Sequence, residues 1–317
     1  MKTYAVVSSA AIETPPLSYG GLERVAALRA RKLAEDGYKV VLIGKRGSAI
    51  SWRAVYGRPP DNLTIYEFGS EEEFLRAAAT LEAADAIIDD SWGGYVYERF
   101  PEKTIKVWHA PLPPRMLELR SGYAVSRAHM DYARARGAAL RGFIHNIIDV
   151  DEFSGEARDE GYFLYMNRIS AEKGALEFVR LCCELGAKCV MIGEDFLVQD
   201  REYVHIVMNE AQRCGVAYLG RAGSAERLRY LRNCRAVVAP LSKDYFEVFG
   251  LYVVEAFAYG KPVVAYENGA LREVSLGRAL LARTREELKE LMKSAEPSDA
   301  LREVALKYDY RRWNPII

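Results

Sequence analysis

Glutamine is almost missing from this chain, occurring only at Gln199 and Gln212 among 317 residues. Few thermolabile amides beside 28% charged residues and 20 tyrosines is a composition of heat-adapted proteins, so a thermophile protein is expected. An excess of either charge is also lacking, since 44 Lys and Arg balance 44 Asp and Glu. That balance excludes the one-sided basic surface of a nucleic-acid binder. No apolar run reaches the roughly 20 residues of a membrane-spanning helix. Cysteine is sparse: Cys182, Cys183, Cys189, Cys214 and Cys234 all lie in the second half. Their odd number, with no CxxC pair and no histidine-rich run nearby, argues against a zinc site and against a secreted disulfide framework. Buried thiols in a reducing compartment are expected instead. The opening stretch MKTYAVVSSA runs directly into a strand-like segment without the shape of a signal peptide, which points to the cytoplasm. Neither GxGxxG nor GxxxxGK[ST] occurs, so an NAD-dependent oxidoreductase is poorly supported. Asp89 and Asp90 are followed by Ser91, so they do not form an Asp-x-Asp triplet, and no obligatory metal is expected.

What is present is an alternation of short apolar runs with longer segments of helical period. In the first half the strand candidates are 4–8, 39–43, 63–68, 86–89, 105–109, 122–126 and 142–145, with helical patterns at 22–35, 71–83 and 127–136. The pattern restarts at 162–166 and continues through 188–192, 217–219, 236–239 and 262–265. Buried β-rich runs alternating with helices predict α/β architecture with doubly wound parallel sheets covered on both faces. The polar stretch 154–161 marks a linker. Expected domains are therefore 1–155 and 156–298, each Rossmann-like, with a helical segment at 299–317 crossing back to the first.

Four places carry candidate chemistry. The segment 246–265 reads as a loop, a glycine, a short helix, a Gly–Lys–Pro turn and a buried strand. Phe249, Gly250 and Leu251 fall at the predicted helix start, where free N–H groups and the dipole favour an anion. Glu247 precedes that start and Glu255 lies within the helix, at most about 12 Å further along. That is roughly the span from a ribose to a group beyond its diphosphate. Taken singly, each glutamate fits a dipole cap or an ion pair better, and the whole segment reverses that preference. Arg168 and Lys173 follow the first strand of the second half, where ligands collect at the carboxyl ends of parallel strands. Two cations there suit a diphosphate, one as a fork and one as a point charge. Gly20 and Gly21, between the first strand and first helix, would let backbone approach a phosphate or sugar. His109 ends a strand candidate at a carboxyl end; a lone histidine is more often structural than catalytic. His129, His145 and His205 show nothing convergent around them.

In this order the landmarks resemble glycosyltransferase family 4, the retaining group 1 enzymes of the GT-B fold. The resemblance rests on Tyr19 to Arg24, Ala124 to Ser126, His145 to Phe153, Asn167 to Gly174, Tyr218 to Gly220, and the Glu247/Glu255 pair with Phe249 to Leu251 between them. It implies a glycosyltransferase, specifically a hexosyltransferase, that takes a sugar from a nucleotide diphosphate of UDP or GDP type. It further implies no cofactor and retention of anomeric configuration. Arg168 and Lys173 would hold the diphosphate, Glu255 the ribose, and Glu247 the sugar, with the backbone of Phe249, Gly250 and Leu251 near phosphate or sugar. Gly20, Gly21 and His109 would approach from the first domain. By the same resemblance these cations would stabilise the departing diphosphate, which would accept the acceptor's proton, and domain closure would exclude water. The chain departs from the family pattern at Asn167, usually glycine, at Val248, usually small or proline, and at 275–281, usually glycine-rich.

Two other readings share the architecture: a catalytically silent partner subunit and a sugar-nucleotide epimerase. The acceptor, whether a sugar, a lipid-linked molecule or another small molecule, is not identified by any motif. Arg24, Arg29, Arg31 and Lys32 on one helix read as a solvated face, with peripheral contact to anionic lipid at the inner membrane face as the second reading.

Overall fold

The computed structural model describes residues 2–18, 20–195, 198 and 200–315. The chain divides into two compact units, Met1–Asp149 with Tyr308–Ile317, and Val150–Lys307. The sequence-based boundary at 155/156 lies six residues after the observed division.

In the first unit, β1 (Thr3–Val7), β2 (Lys39–Lys45), β3 (Leu63–Phe68), β4 (Ala86–Asp89) and β5 (Thr104–Lys106) form one sheet in the order β3-β2-β1-β4-β5. All its pairs are parallel. The central strand β1 buries Tyr4, Ala5, Val6 and Val7 completely, as a strand covered on both faces must. Two short strands, β6 (Tyr123–Ala124) and β7 (Gly142–Phe143), pair with each other, and Val107 bridges to Tyr123. The helices are α1 (Gly21–Glu35), α2 (Ser48–Tyr56), α3 (Glu71–Ala79), α4 (Tyr95–Arg99), α5 (Pro114–Leu119) and α6 (Arg127–Arg134). Ser70 and Ser126 cap α3 and α6 by accepting from the N–H three residues on. The chain's last residues join this unit, where Ile148 bridges Asp309 and Tyr310 N–H donates to the Ile148 carbonyl.

The second unit repeats the winding with β8 (Phe163–Tyr165), β9 (Cys189–Met191), β10 (Ala217–Tyr218), β11 (Ala236–Ala239), β12 (Val263–Tyr266) and β13 (Leu280–Ala282), in the order β10-β9-β8-β11-β12-β13. Its helices are α7 (Ala175–Leu185), α8 (Arg201–Arg213), α9 (Ser224–Asn233), α10 (Leu251–Ala258), α11 (Leu271–Val274), α12 (Arg285–Ser294) and α13 (Arg302–Ala305). Tyr165, Phe178, Met191, Val238 and Leu288 meet in its core. Each such fully buried side chain contributes about 1.5–3 kcal/mol of apolar burial. The two sheets thus confirm the expected α/β class with doubly wound parallel sheets.

Three expectations are corrected. The cysteines do not remain thiols: Cys182 pairs with Cys189 and Cys183 with Cys214, leaving Cys234 free and buried. Neighbours on a helix project about 100° apart, so one cysteine of α7 meets β9 while the next meets the end of α8. The basic helix is not a solvated or lipid-facing surface. Arg24 and Arg29 are buried, Arg31 pairs with Glu35 and Asp149, and Lys32 pairs with Asp36. Finally, 275–281 is not a loop throughout, because Leu280 and Leu281 already belong to β13, an edge strand whose register comes from pairing with β12. No described helix is long and apolar enough to cross a membrane.

Candidate active site

In the second unit β8 and β11 are neighbours with the chain winding outward on either side. This is the switch point at which loops diverge and leave a ligand crevice beyond the carboxyl ends. Lys173 comes from the loop after β8 and Glu247 from the loop after β11. The Lys173 ammonium donates to Glu247 Oε2 at 2.7 Å and to the Tyr245 hydroxyl at 3.0 Å, and lies 4.1 Å from the Tyr245 ring centroid. Only glycine permits this approach of the loops, because a Cβ on Gly174, at φ +73°, would overlap the Pro240 carbonyl. Burial and the Glu247 charge raise the Tyr245 pKa, with Arg168 opposing. The hydroxyl therefore stays protonated at neutral pH.

The backbone of Glu247 is held from the loop after β12. Its N–H donates to Asn268 Oδ1 at 2.8 Å, and its carbonyl accepts from Ala270 N–H at 2.8 Å. Asn268 Nδ2 in turn donates to the carbonyls of Ser242 and Tyr245. A side chain on Gly269, at φ +46°, would run into the Glu247 carbonyl. Three residues later Gly250 is the left-handed N-cap of α10, and Leu251 is its first residue. Its N-cap, being glycine, brings no capping side chain of its own, and the positive end of the helix dipole favours an anion there. Phe249 is buried against the core.

Glu255 faces elsewhere, toward α9. Arg227 Nη1 meets its Oε2 at 2.7 Å and Nη2 its Oε1 at 3.3 Å, with both side chains buried. Burial opposes the Arg227 charge, and Glu255 outweighs it, so the Arg227 pKa lies above its ordinary value. Arg168 pairs with Glu172 of its own loop at 2.7 Å. The structure therefore joins Lys173 to Glu247 but sets Glu255 against Arg227 and Arg168 against Glu172. Sequence reasoning missed Tyr245, Arg227 and Asn268. The Asn268–Gly269 pair was a readable turn signal; nothing local marked Arg227.

In the first unit, Gly20 is the N-cap of α1 and Gly21 its first residue, while Tyr19 of the same motif lies outside the described residues. His109 is not a strand residue. β5 stops at Lys106 and only Val107 continues the pairing, because the chain bends away once its ladder partner ends. His109 Nε2 bonds Asp90 Oδ1 at 2.7 Å, and its side chain is 6% exposed. His129 does have a convergent neighbour. It lies buried beside His109, donates to the Pro111 carbonyl, and burial pushes its pKa down to about 4. Among the described residues, no three His, Cys, Asp or Glu side chains converge as metal ligands would.

Two doubly wound parallel sheets, one with a lysine–glutamate pair and a glycine-capped helix start at its switch point, define a two-unit Rossmann-like α/β protein. Residues 147–311 match the family model described as glycosyl transferases group 1, so the chain belongs to that family. Its fold is GT-B, as in AviGT4, a glycosyltransferase involved in avilamycin A biosynthesis. That structure aligns with TM-score 0.77 and 25% identity over 98% of this chain and 94% of its own. HepE (Alr3699) from Anabaena, solved in complex with UDP and glucose, aligns with TM-score 0.72 and 17% identity, covering 98% and 96%. Sucrose-phosphate synthase from Thermosynechococcus elongatus gives 0.73 and 16%, with the same coverage. A search of the curated proteins returned no significant match.

Proposed function

We propose that the chain is a retaining, metal-independent hexosyltransferase of the family 4 kind, using a nucleoside diphosphate sugar. The observation that carries this reading is the Lys173–Glu247 pair at the β8/β11 switch point, beside the glycine-capped start of α10. Diphosphate departure is the charge-separating step. Lys173, Arg168 and the N–H groups at Phe249, Gly250 and Leu251 stabilise the growing negative charge and supply what a divalent ion supplies elsewhere. Lys173 turns from Glu247 to phosphate, which frees Glu247 for the sugar, and Glu255 takes the ribose hydroxyls. The second unit is the donor side and the first, with Gly20, Gly21 and His109, the acceptor side. The donor class is supported by the UDP-glucose complex of HepE, and a GDP sugar is the alternative donor.

Thermal shifts against nucleoside diphosphates and their sugars, with and without EDTA, test the reading. A shift for one nucleotide, unaffected by EDTA and lost in Glu255→Ala, is expected. No shift across the panel by folded protein would instead favour a silent partner subunit, and epimerisation without acceptor would favour an epimerase. A product of inverted configuration would refute retention. Heat adaptation accounts for two disulfides in a cytoplasmic protein, since intracellular proteins of hyperthermophiles carry them. A melting temperature below about 65 °C would count against it.

A further inference from the structure

We propose that Asp90 is the positioning residue of His109, fixing which ring nitrogen faces the substrate, and that Arg29 and Trp313 hold Asp90 in that role. The inference rests on the reading that His109 lies on the acceptor side of a transferase. Asp90 directly follows β4 and is fully buried. One of its oxygens, Oδ1, receives both His109 Nε2 and the Arg29 guanidinium from α1. The far side of Arg29 is covered by Trp313, whose ring centroid lies 5.7 Å from the guanidinium carbon. The returning C-terminal segment is thus the back support of a line Trp313–Arg29–Asp90–His109 within one unit.

That line decides the chemistry His109 offers. Burial alone would raise the Asp90 pKa, but Arg29 and His109 hold it below its ordinary value, so it is a carboxylate. A carboxylate only accepts, so His109 must donate from Nε2. Burial lowers the His109 pKa, Asp90 opposes this, and Arg29 and Lys106 lower it further, so the ring is neutral. Its Nδ1 then carries the lone pair and accepts from a hydroxyl, as a sugar or acceptor alcohol presents. Beside burial, Arg29 helps keep the ring neutral, because it balances the Asp90 charge that draws a second proton to His109. The charged or titratable groups facing the cluster are Glu23 and Arg29 on α1, Asp89 and Asp90 at the end of β4, Lys106 on β5, and His129 on α6.

Long-range proton–nitrogen spectra of the histidine side chains, assigned with His109→Gln, read the tautomer directly in the full chain. Wild type is expected as the Nε2–H form without titration between pH 6 and 8. Asp90→Asn should abolish that single form and lower kcat on the order of 10- to 100-fold, as loss of an orienting partner does, with donor KM little changed. An Nδ1–H ring in wild type, or an unchanged ring in Asp90→Asn, overturns the proposal. If Asp90→Asn does not fold, Arg29→Met serves: His109 should then titrate at higher pH, and an unmoved titration overturns the proposal. A wild-type ring of the expected form in a protein that turns over no nucleotide sugar would establish the Asp90–His109 pair while sinking the transferase reading.

Discussion

Each unit holds a buried lysine–carboxylate pair at the carboxyl end of its sheet, and the two pairs are built to different ends. In the first unit Lys106 and Asp89 are completely buried, 3.5 Å apart. The ammonium also lies within hydrogen-bond reach of the backbone carbonyls of Asp89, Ser91 and Val107, which share its remaining protons. Burial dominates there, raising the Asp89 pKa and lowering that of Lys106. In the second unit Lys173 and Glu247 are 2.7 Å apart and each 7% exposed, and the other partner of Lys173 is a tyrosine hydroxyl. Backbone carbonyls cannot move aside without unfolding the strand ends, whereas carboxylate and phenol side chains can rotate. Under the proposed function only the second pair exchanges its partner for a ligand, one lysine fastening a fold and the other working on substrate.

Replacing each lysine by methionine gives the largest expected effects. Lys106→Met leaves buried Asp89 without its charge partner, with only the Ser91 N–H and hydroxyl still donating to it, and should cost about 3–5 kcal/mol of stability in urea unfolding. Lys173→Met should cost less, about 1–3 kcal/mol, because Glu247 keeps a 7% exposed edge where Asp89 has none. Its loss belongs to catalysis, at about 10²- to 10³-fold in kcat, the cost of removing one charge-stabilising donor. Equal destabilisation with transfer intact would erase the distinction.

Disulfides sharpen the contrast, since all of them fasten the second unit. The loop closed by Cys182–Cys189 has a separation of 7 residues and that of Cys183–Cys214 one of 31. Loop-closure entropy then assigns about 2 and about 4 kcal/mol respectively. Reduction should lower the stability of the second unit and leave hydrogen exchange in β1 and β4 unchanged. Identical unfolding with and without reductant would refute the assignment.

The fold was largely legible and the site only in part, for a physical reason. Strands β3, β4 and β11 begin and end at the residues their apolar runs mark, because burial on both faces writes itself into local sequence. β13 escaped because Leu280–Ala282 contains no β-branched residue and is a strand only by virtue of β12. Lys173 stood out by its placement after a strand and Glu247 by its placement before a helix start. The partners of the other buried carboxylates did not: Arg227 reaches Glu255 across 28 residues and Arg29 reaches Asp90 across 61. Such pairings are properties of the winding, and no window of sequence contains them. Cys182 and Cys183 misled likewise, since adjacency on a helix hides that each faces a different element.

Acid should probe the first unit selectively. The His129 pKa is 6.5 unfolded and about 4 folded, chiefly through burial. Between those values the unfolded chain binds a proton that the native one refuses, so stability is fully present above pH 6.5 and falls as pH drops toward 4. The linked loss is about 3 kcal/mol. His129→Gln should flatten that slope, measured as unfolding free energy against pH. A slope that survives the substitution would place the acid sensitivity elsewhere.

The smallest effects test where the units ought to agree. Ser70 caps α3 in the first unit by accepting from Glu73 N–H at 3.2 Å, and Thr284 caps α12 in the second by accepting from Glu287 N–H at 3.1 Å. Both sit in extended backbone ahead of glutamates that favour the helix start. Since the capping bond is local, Ser70→Ala and Thr284→Ala should each cost about 1 kcal/mol, regardless of which sheet lies behind the helix. Glu73 also bonds Arg46 and the Gly69 N–H, and Glu287 accepts from the Arg283 N–H. The two helix starts therefore keep a second carboxylate contact when the hydroxyl is gone. A cost more than about 1 kcal/mol larger on one side would mean that its cap anchors a loop as well as a helix.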